Sequence, residues 1–109
     1  LGVQNNVTIF TASDFGRTLI QNGDGSDHGW GSHHFVVGGG VKGKEIYGAF
    51  PDLTPSVSTD AGNGRLIPTT SVEQYAATMA KWMGVTDANL PVILPNLANF
   101  SQSNLGFMN

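Results

Sequence analysis

Residues 22–39 read N-G-D-G-S-D-H-G-W-G-S-H-H-F-V-V-G-G, a polar, glycine-laced segment that runs straight into an apolar one. The apolar part, His34-Phe35-Val36-Val37, has the β-branched and aromatic character of a strand and is stopped by Gly38-Gly39-Gly40. The polar part, Gln21 to Ser32, reads as a loop, and a loop of that length inside a compact domain is usually functional or disordered. Upstream, Val7-Thr8-Ile9-Phe10-Thr11 reads as a buried strand ending at Ala12-Ser13-Asp14, whose side chains favour turns and caps. Residues Asp14 to Ile20 are expected to form one or two helical turns, weakened by Gly16. Glu45-Ile46-Tyr47 is expected as a short third strand.

Farther out, Pro51 to Thr69 is rich in Pro, Ser, Thr, Gly and Asp and reads as surface connection, with a hairpin turn at Gly62-Asn63-Gly64. A helix follows. Thr70-x-x-Glu73 fits a capping box, in which two side chains satisfy otherwise orphaned backbone donors. Val72, Tyr75, Ala76, Met79, Trp82 and Met83 fall on one face at helical spacing, which reads as core packing. Gly84 stands where a left-handed C-terminal cap belongs. The tail, Val85 to Asn109, contains Pro91 and Pro95 and shows no sustained period.

The whole chain has 109 residues, which allows one domain or one piece of a larger one. Of its 15 glycines, a disproportionate share lies between Gly16 and Gly48, without the strict period of collagen. The apolar runs are far shorter than the roughly 20 residues that span a bilayer, so no membrane span is expected. A net charge of −3 with only five Lys and Arg leaves no basic stripe, which argues against a nucleic-acid partner. The absence of Cys excludes disulfides, thiolate catalysis and zinc sites of the Cys type. The first residue is Leu1, which suggests processing or excision from a longer chain. Asn6-Val7-Thr8 and Asn99-Phe100-Ser101 match glycosylation acceptor triplets.

All three His residues, His28, His33 and His34, lie within seven positions, with Asp27 adjacent and Asp24 just before. Imidazole and carboxylate suit zinc, manganese or iron where no thiolate is present. Gly29 and Gly31 would let Asp27 and His28 point at one ion, whereas His33 and His34 would face opposite sides of a strand, so one of that pair is expected to reach the site. Against this stands the plainer reading of hydrogen-bonded structural histidines. Asp14-Phe15-Gly16-Arg17-Thr18 pairs a carboxylate suited to metal with a guanidinium whose planar fork matches phosphate, sulfate or carboxylate. The plainer reading there is a helix N-cap and a surface Arg. Gly38-Gly39-Gly40-Val41-Lys42-Gly43-Lys44 satisfies the spacing of a phosphate-cradling loop, but Glu45 replaces the Ser or Thr that would hold magnesium and no helix follows.

The series T-A-S-D-F-G-R-T (11–18), the quoted 22–39, I-Y-G-A-F-P (46–51), G-R-L-I-P-T-T-S-V-E-Q-Y-A-A-T-M-A-K-W-M-G-V (64–85) and L-P-N-L-A-N-F (94–100) resembles the C-terminal part of the bacterial domain-of-unknown-function family 1501. That family is placed in the alkaline phosphatase and sulfatase superfamily. The resemblance implies an α/β fold, with this chain as a single partial domain over residues 1–109: the C-terminal fragment of an alkaline-phosphatase-like sandwich whose mixed sheet is flanked by helices. It also implies two divalent metal ions, zinc or manganese, in the full-length protein. Asp27 and His28 match a triplet supplying two ligands, His33 or His34 matches a later ligand, and Asp14 corresponds to a further Asp. The His expected four residues after that Asp is Thr18 here, a departure that touches the second ion. Arg17 is then an anion-binding residue. The nucleophile would come from an N-terminal part of the same fold, the implied partner of this segment. The implied function is an exported, extracytoplasmic metal-dependent hydrolase acting on small anionic phosphate or sulfate esters, and family members often carry twin-arginine leaders. The alternative is a non-catalytic extracytoplasmic assembly protein that keeps the fold.

Overall fold

The computed structural model describes residues 2–54 and 57–109. Of the sequence readings, Leu1 and the Pro55-Ser56 part of the 51–69 connection lie outside the described residues. The chain is of mixed α/β type, with two two-stranded sheets and few helices. Its contacts divide it into two compact units: residues 1–9, 36–48 and 70–109 form one, and residues 10–35 and 49–69 form the other. No helix among the described residues is long and apolar enough to cross a membrane.

The first unit is built on helix α1, Val72–Trp82. Its interior carries Glu, Gln, Ala, Met and Lys, all good helix formers. The capping box is present one residue later than the sequence spacing suggested. The backbone N–H of Gln74 donates to the Ser71 hydroxyl at 3.1 Å, and the Ser71 N–H donates to the Gln74 side chain at 3.0 Å. At the other end Gly84, at φ +96°, closes a Schellman cap. Its N–H donates to Lys81 O and the Val85 N–H donates to Ala80 O, at 2.9 and 3.0 Å.

The buried face of α1 is rotated from the expected one. Gln74, Ala77 and Thr78 are buried, while Val72 and Met83 stand 66% and 79% exposed. Polar residues belong on this face because the tail bonds to it. Gln74 Nε2 donates to Gln102 O, and the Thr78 hydroxyl donates to Gln74 O and accepts the Leu105 N–H at 2.8 Å. The tail is also more regular than its lack of period suggested. Helix α2, Leu90–Ile93, and a 3-10 turn, Pro95–Asn99, place Leu90 and Leu97 against Ala77, with Ala80, Val85 and Leu94 around them. Full burial of a leucine side chain contributes about 1.5–3 kcal/mol, so this small cluster anchors the tail. Phe107, buried between Tyr47 and Tyr75, and the Val41–Met108 bridge fix the C-terminus.

Strand β1, Thr8–Phe10, lies within the expected Val7–Thr11 run and pairs with β4, Val36–Gly38. The expected burial of β1 is not found, since Ile9 is 70% exposed. Glu45-Ile46-Tyr47 forms no strand.

The second unit overturns the helical reading of Asp14 to Ile20. Those residues enter strand β2, Gly16–Gln21, which pairs antiparallel with β3, Ser26–Gly29, inside the expected loop. Thr18, Leu19 and Ile20 have side chains that suit a pleated surface. The four residues between the strands close as a turn, with Asn22 N–H donating to Gly25 O at 3.0 Å and Gly23 at φ +122°. The turn expected at Gly62-Asn63-Gly64 is present. All three residues have positive φ, and the flanking Asp60 and Leu66 are bridged. Leu19 N–H donates to Gly64 O, tying this second turn to β2.

Candidate functional site: the β2–β3 hairpin

The cross-strand register sets Gly16 opposite Gly29 and Arg17 opposite His28, then shifts before Gln21 pairs with Ser26. Thr18 sits in that irregularity, only 5% exposed. Its hydroxyl accepts the Asp27 N–H and donates to Ile20 O, each at 3.1 Å, so the bulge leaves neither backbone group unsatisfied. The residue standing where the resemblance would place a metal-binding His is thus a brace inside the hairpin.

Glycine at 16 and 29 permits backbone to lie on backbone. A Cβ on Gly16 would reach 2.6 Å from the Gly31 carbonyl carbon and still nearer its oxygen, and one on Gly29 would fall 2.9 Å from Arg17 C. The β2–β3 hairpin is therefore packed too tightly for any side chain at these two positions.

Directly opposed residues on paired strands share a face, so Arg17 and His28 lie side by side, both exposed. Phe15, half-buried, serves both. The His28 ring stacks on it with centroids 3.6 Å apart and planes 13° from parallel, and the Arg17 guanidinium carbon lies 5.2 Å from its centroid. Arg17 Nη1 also donates to Ser26 O at 2.6 Å, which holds the side chain along the hairpin. Asp27, next to His28 in β3, points to the other face by strand alternation. There its carboxylate accepts from Asn22 Nδ2 at 2.6 Å.

The other histidines have separate partners. His33 stacks with Phe50 at 4.9 Å between centroids, and His34 Nδ1 lies 3.1 Å from the Thr11 hydroxyl, which also accepts the Phe35 N–H. Asp14 is exposed and precedes a strand, so it is not a helix cap. Asp24 lies exposed in the hairpin turn. Among the described residues no three His, Asp or Glu side chains gather where they could hold a metal ion. What the hairpin does bring together is a guanidinium and an imidazole, a pairing suited to the oxygens of an anion.

Sequence reasoning missed Phe15, Asn22, Thr11 and Phe50 as partners of the charged and imidazole groups, and Thr18 as the partner of the Asp27 backbone. A signal existed for Phe15. Read with a strand period of two, Phe15 and Arg17 fall on one face, whereas the helical reading of Asp14 to Ile20 separated them.

The family model described as Protein of unknown function (DUF1501) matches residues 1–92, and the chain belongs to that family. No curated protein and no solved structure matches it.

Proposed function

We propose that this DUF1501 family member is the C-terminal segment of an exported, hydrolase-like protein of the alkaline phosphatase and sulfatase superfamily, and that it supplies the anion-binding side of a site for phosphate or sulfate esters. The observation that carries this reading is the exposed Arg17–His28 pair, held on one face of a hairpin by register and by a shared aromatic ring. The guanidinium fork offers parallel donors to two ester oxygens, and its charge offsets the negative charge that builds in the transition state. In this reading the fold is completed to an alkaline-phosphatase-like sandwich by an N-terminal part, which also brings the nucleophile. Divalent metal, zinc or manganese as two ions, belongs to the same reading of the whole protein, with Asp14, Asp27, His28 and one of His33 and His34 as this segment's donors. No step here is assigned to a metal.

The test uses the longer parent protein. Hydrolysis of an aryl phosphate and an aryl sulfate is measured together with bound zinc and manganese, in wild type, Arg17→Ala and His28→Ala. Loss of one transition-state donor lowers kcat by about 10²–10³. Unchanged hydrolysis in both variants refutes the role of the pair.

A second reading has its own support. Each imidazole has a partner of another kind: His28 has Phe15, His33 has Phe50 and His34 has Thr11. Such partners suit histidines that brace a surface, as in a non-catalytic extracytoplasmic assembly protein that keeps the fold. A parent protein that holds no stoichiometric metal and hydrolyses neither ester favours this second reading.

A further inference from the structure

We infer that Phe15 is the positioning residue of an oxyanion site whose two donors are Arg17 and His28, with a phosphate or sulfate monoester group as the ligand class. The inference rests on the anion-binding reading above and assigns the element that sets the geometry of its site.

Arg17 and His28 are exposed, and exposed side chains normally sample several rotamers, which weakens any two-point contact. Here one aromatic ring restrains both. The imidazole lies flat on Phe15, and the guanidinium carbon stands within the usual range of a cation–π contact. A ring stacked by its face keeps its edge, and hence its two nitrogens, away from the ring beneath. Neither nitrogen of His28 has a hydrogen-bond partner among the described residues. Arg17 commits one Nη1 N–H to Ser26 O and keeps its remaining donors. The negative face of the phenyl ring also favours the guanidinium beside it. Asp27, the nearest carboxylate along β3, is turned to the other face and engaged with Asn22, so it does not oppose an anion bound beside His28.

The experiment has two readouts on the longer parent protein. The first is the chemical shift of the His28 ring protons, which stacking on Phe15 moves upfield in wild type. That shift should persist in Phe15→Tyr and disappear in Phe15→Leu. The second is a titration with inorganic phosphate at constant ionic strength, with chloride as competitor, followed at the His28 and Arg17 side-chain resonances. Phe15→Leu should weaken phosphate binding about three- to tenfold, the effect of freeing one or two ordered side chains, and Phe15→Tyr should restore it to within about twofold. A thermal melt identifies any variant that fails to fold, and the Tyr variant then carries the comparison. Saturable phosphate binding that Phe15→Leu leaves unchanged overturns the role of Phe15 alone. Absence of phosphate binding in wild type overturns the anion-binding reading and this inference with it. A His28 ring without an upfield shift in wild type overturns the stacked geometry.

Discussion

Gly16→Ala tests whether backbone contact holds the site together. Gly16 separates Phe15 from Arg17 and faces Gly29 across the hairpin, while its open side lies against Gly31. A methyl group there would sit 2.6 Å from the Gly31 carbonyl carbon, about 1 Å inside normal carbon–carbon separation. The obstacle is main chain, so relief requires moving a strand and not merely a rotamer. Overpacking of this kind costs about 1–3 kcal/mol, and a backbone neighbour argues for the upper end. Alanine also restricts the unfolded chain, which returns about 0.4–1 kcal/mol. The net expectation is destabilisation of about 2 kcal/mol. With a urea slope of about 1–3 kcal/mol per molar, the unfolding midpoint falls by roughly 1 M. Gly25→Ala is the matched control in the same hairpin. Its Cβ would meet only Asn22 Oδ1, at 3.9 Å, so its midpoint should hold or rise slightly. Equal midpoints for wild type, Gly16→Ala and Gly25→Ala would refute the claim that glycine is needed for contact at position 16. Retention of the upfield His28 signal in Gly16→Ala would show that Phe15 and His28 meet without this packing.

Thr78→Val keeps the shape of the buried side chain but removes the acceptor of the Leu105 N–H; it should cost about 1–3 kcal/mol and speed hydrogen exchange at Leu105. Ser71→Ala breaks the reciprocal cap of α1 and should cost about 1 kcal/mol, read as a lower urea midpoint with earlier exchange at Gln74. Burial holds the Tyr75 phenol neutral and raises its pKa above the ordinary value of about 10. As pH rises the unfolded chain loses that proton first, so the stabilisation is complete below about pH 10 and is lost as pH climbs through the folded value. Urea midpoints measured between about pH 8.5 and 11 should therefore fall, and Tyr75→Phe should flatten the decline.

Strong local signals survived the passage from sequence to structure. The Gly84 cap, the Gly62-Asn63-Gly64 turn and the β1 run each depend on backbone preferences that neighbours reinforce. The α1 cap slipped by one position because Thr70 and Ser71 are both good cap residues, as Glu73 and Gln74 are both good reciprocal partners. Only the tertiary contact of Gln74 with Gln102 distinguishes them. The buried face was misjudged for a related reason: hydrophobicity cannot flag Gln74 and Thr78 as interior residues when their burial depends on bonds to a tail 28 and 27 positions away. The β2–β3 hairpin was obscured by its glycines. Gly16 and Gly29 lower strand propensity, yet they are present because Gly16 lies against the backbone of Gly31 and Gly29 against that of Arg17 and Thr18 in the partner strand. Each candidate site residue was visible by type, but its partners were not: those of Arg17, Asp27 and His28 depend on a hairpin that composition reads as loop, and those of His33 and His34 on contacts 17 and 23 positions away.

That hairpin bears directly on how the Asp27–His28 pair is weighed. Two adjacent donors on a regular strand face apart, so they can chelate one ion only if β3 bends between them. The local contacts would not prevent such a bend. The His28–Phe15 stack accounts for about 0.5–1.5 kcal/mol, small beside the roughly 10–16 kcal/mol of a structural zinc site. The other donors named from sequence have partners of their own. Thr18, four residues beyond Asp14, is buried as the brace of the hairpin, and His33 and His34 engage Phe50 and Thr11. One ion held by both Asp27 and His28 would require β3 to change its alternation. Metal addition to the parent should then release His28 from Phe15, whereas anion binding at Arg17 and His28 should leave the stack in place. The upfield shift of the His28 ring, present with phosphate and lost with zinc, separates the two chemistries at one residue.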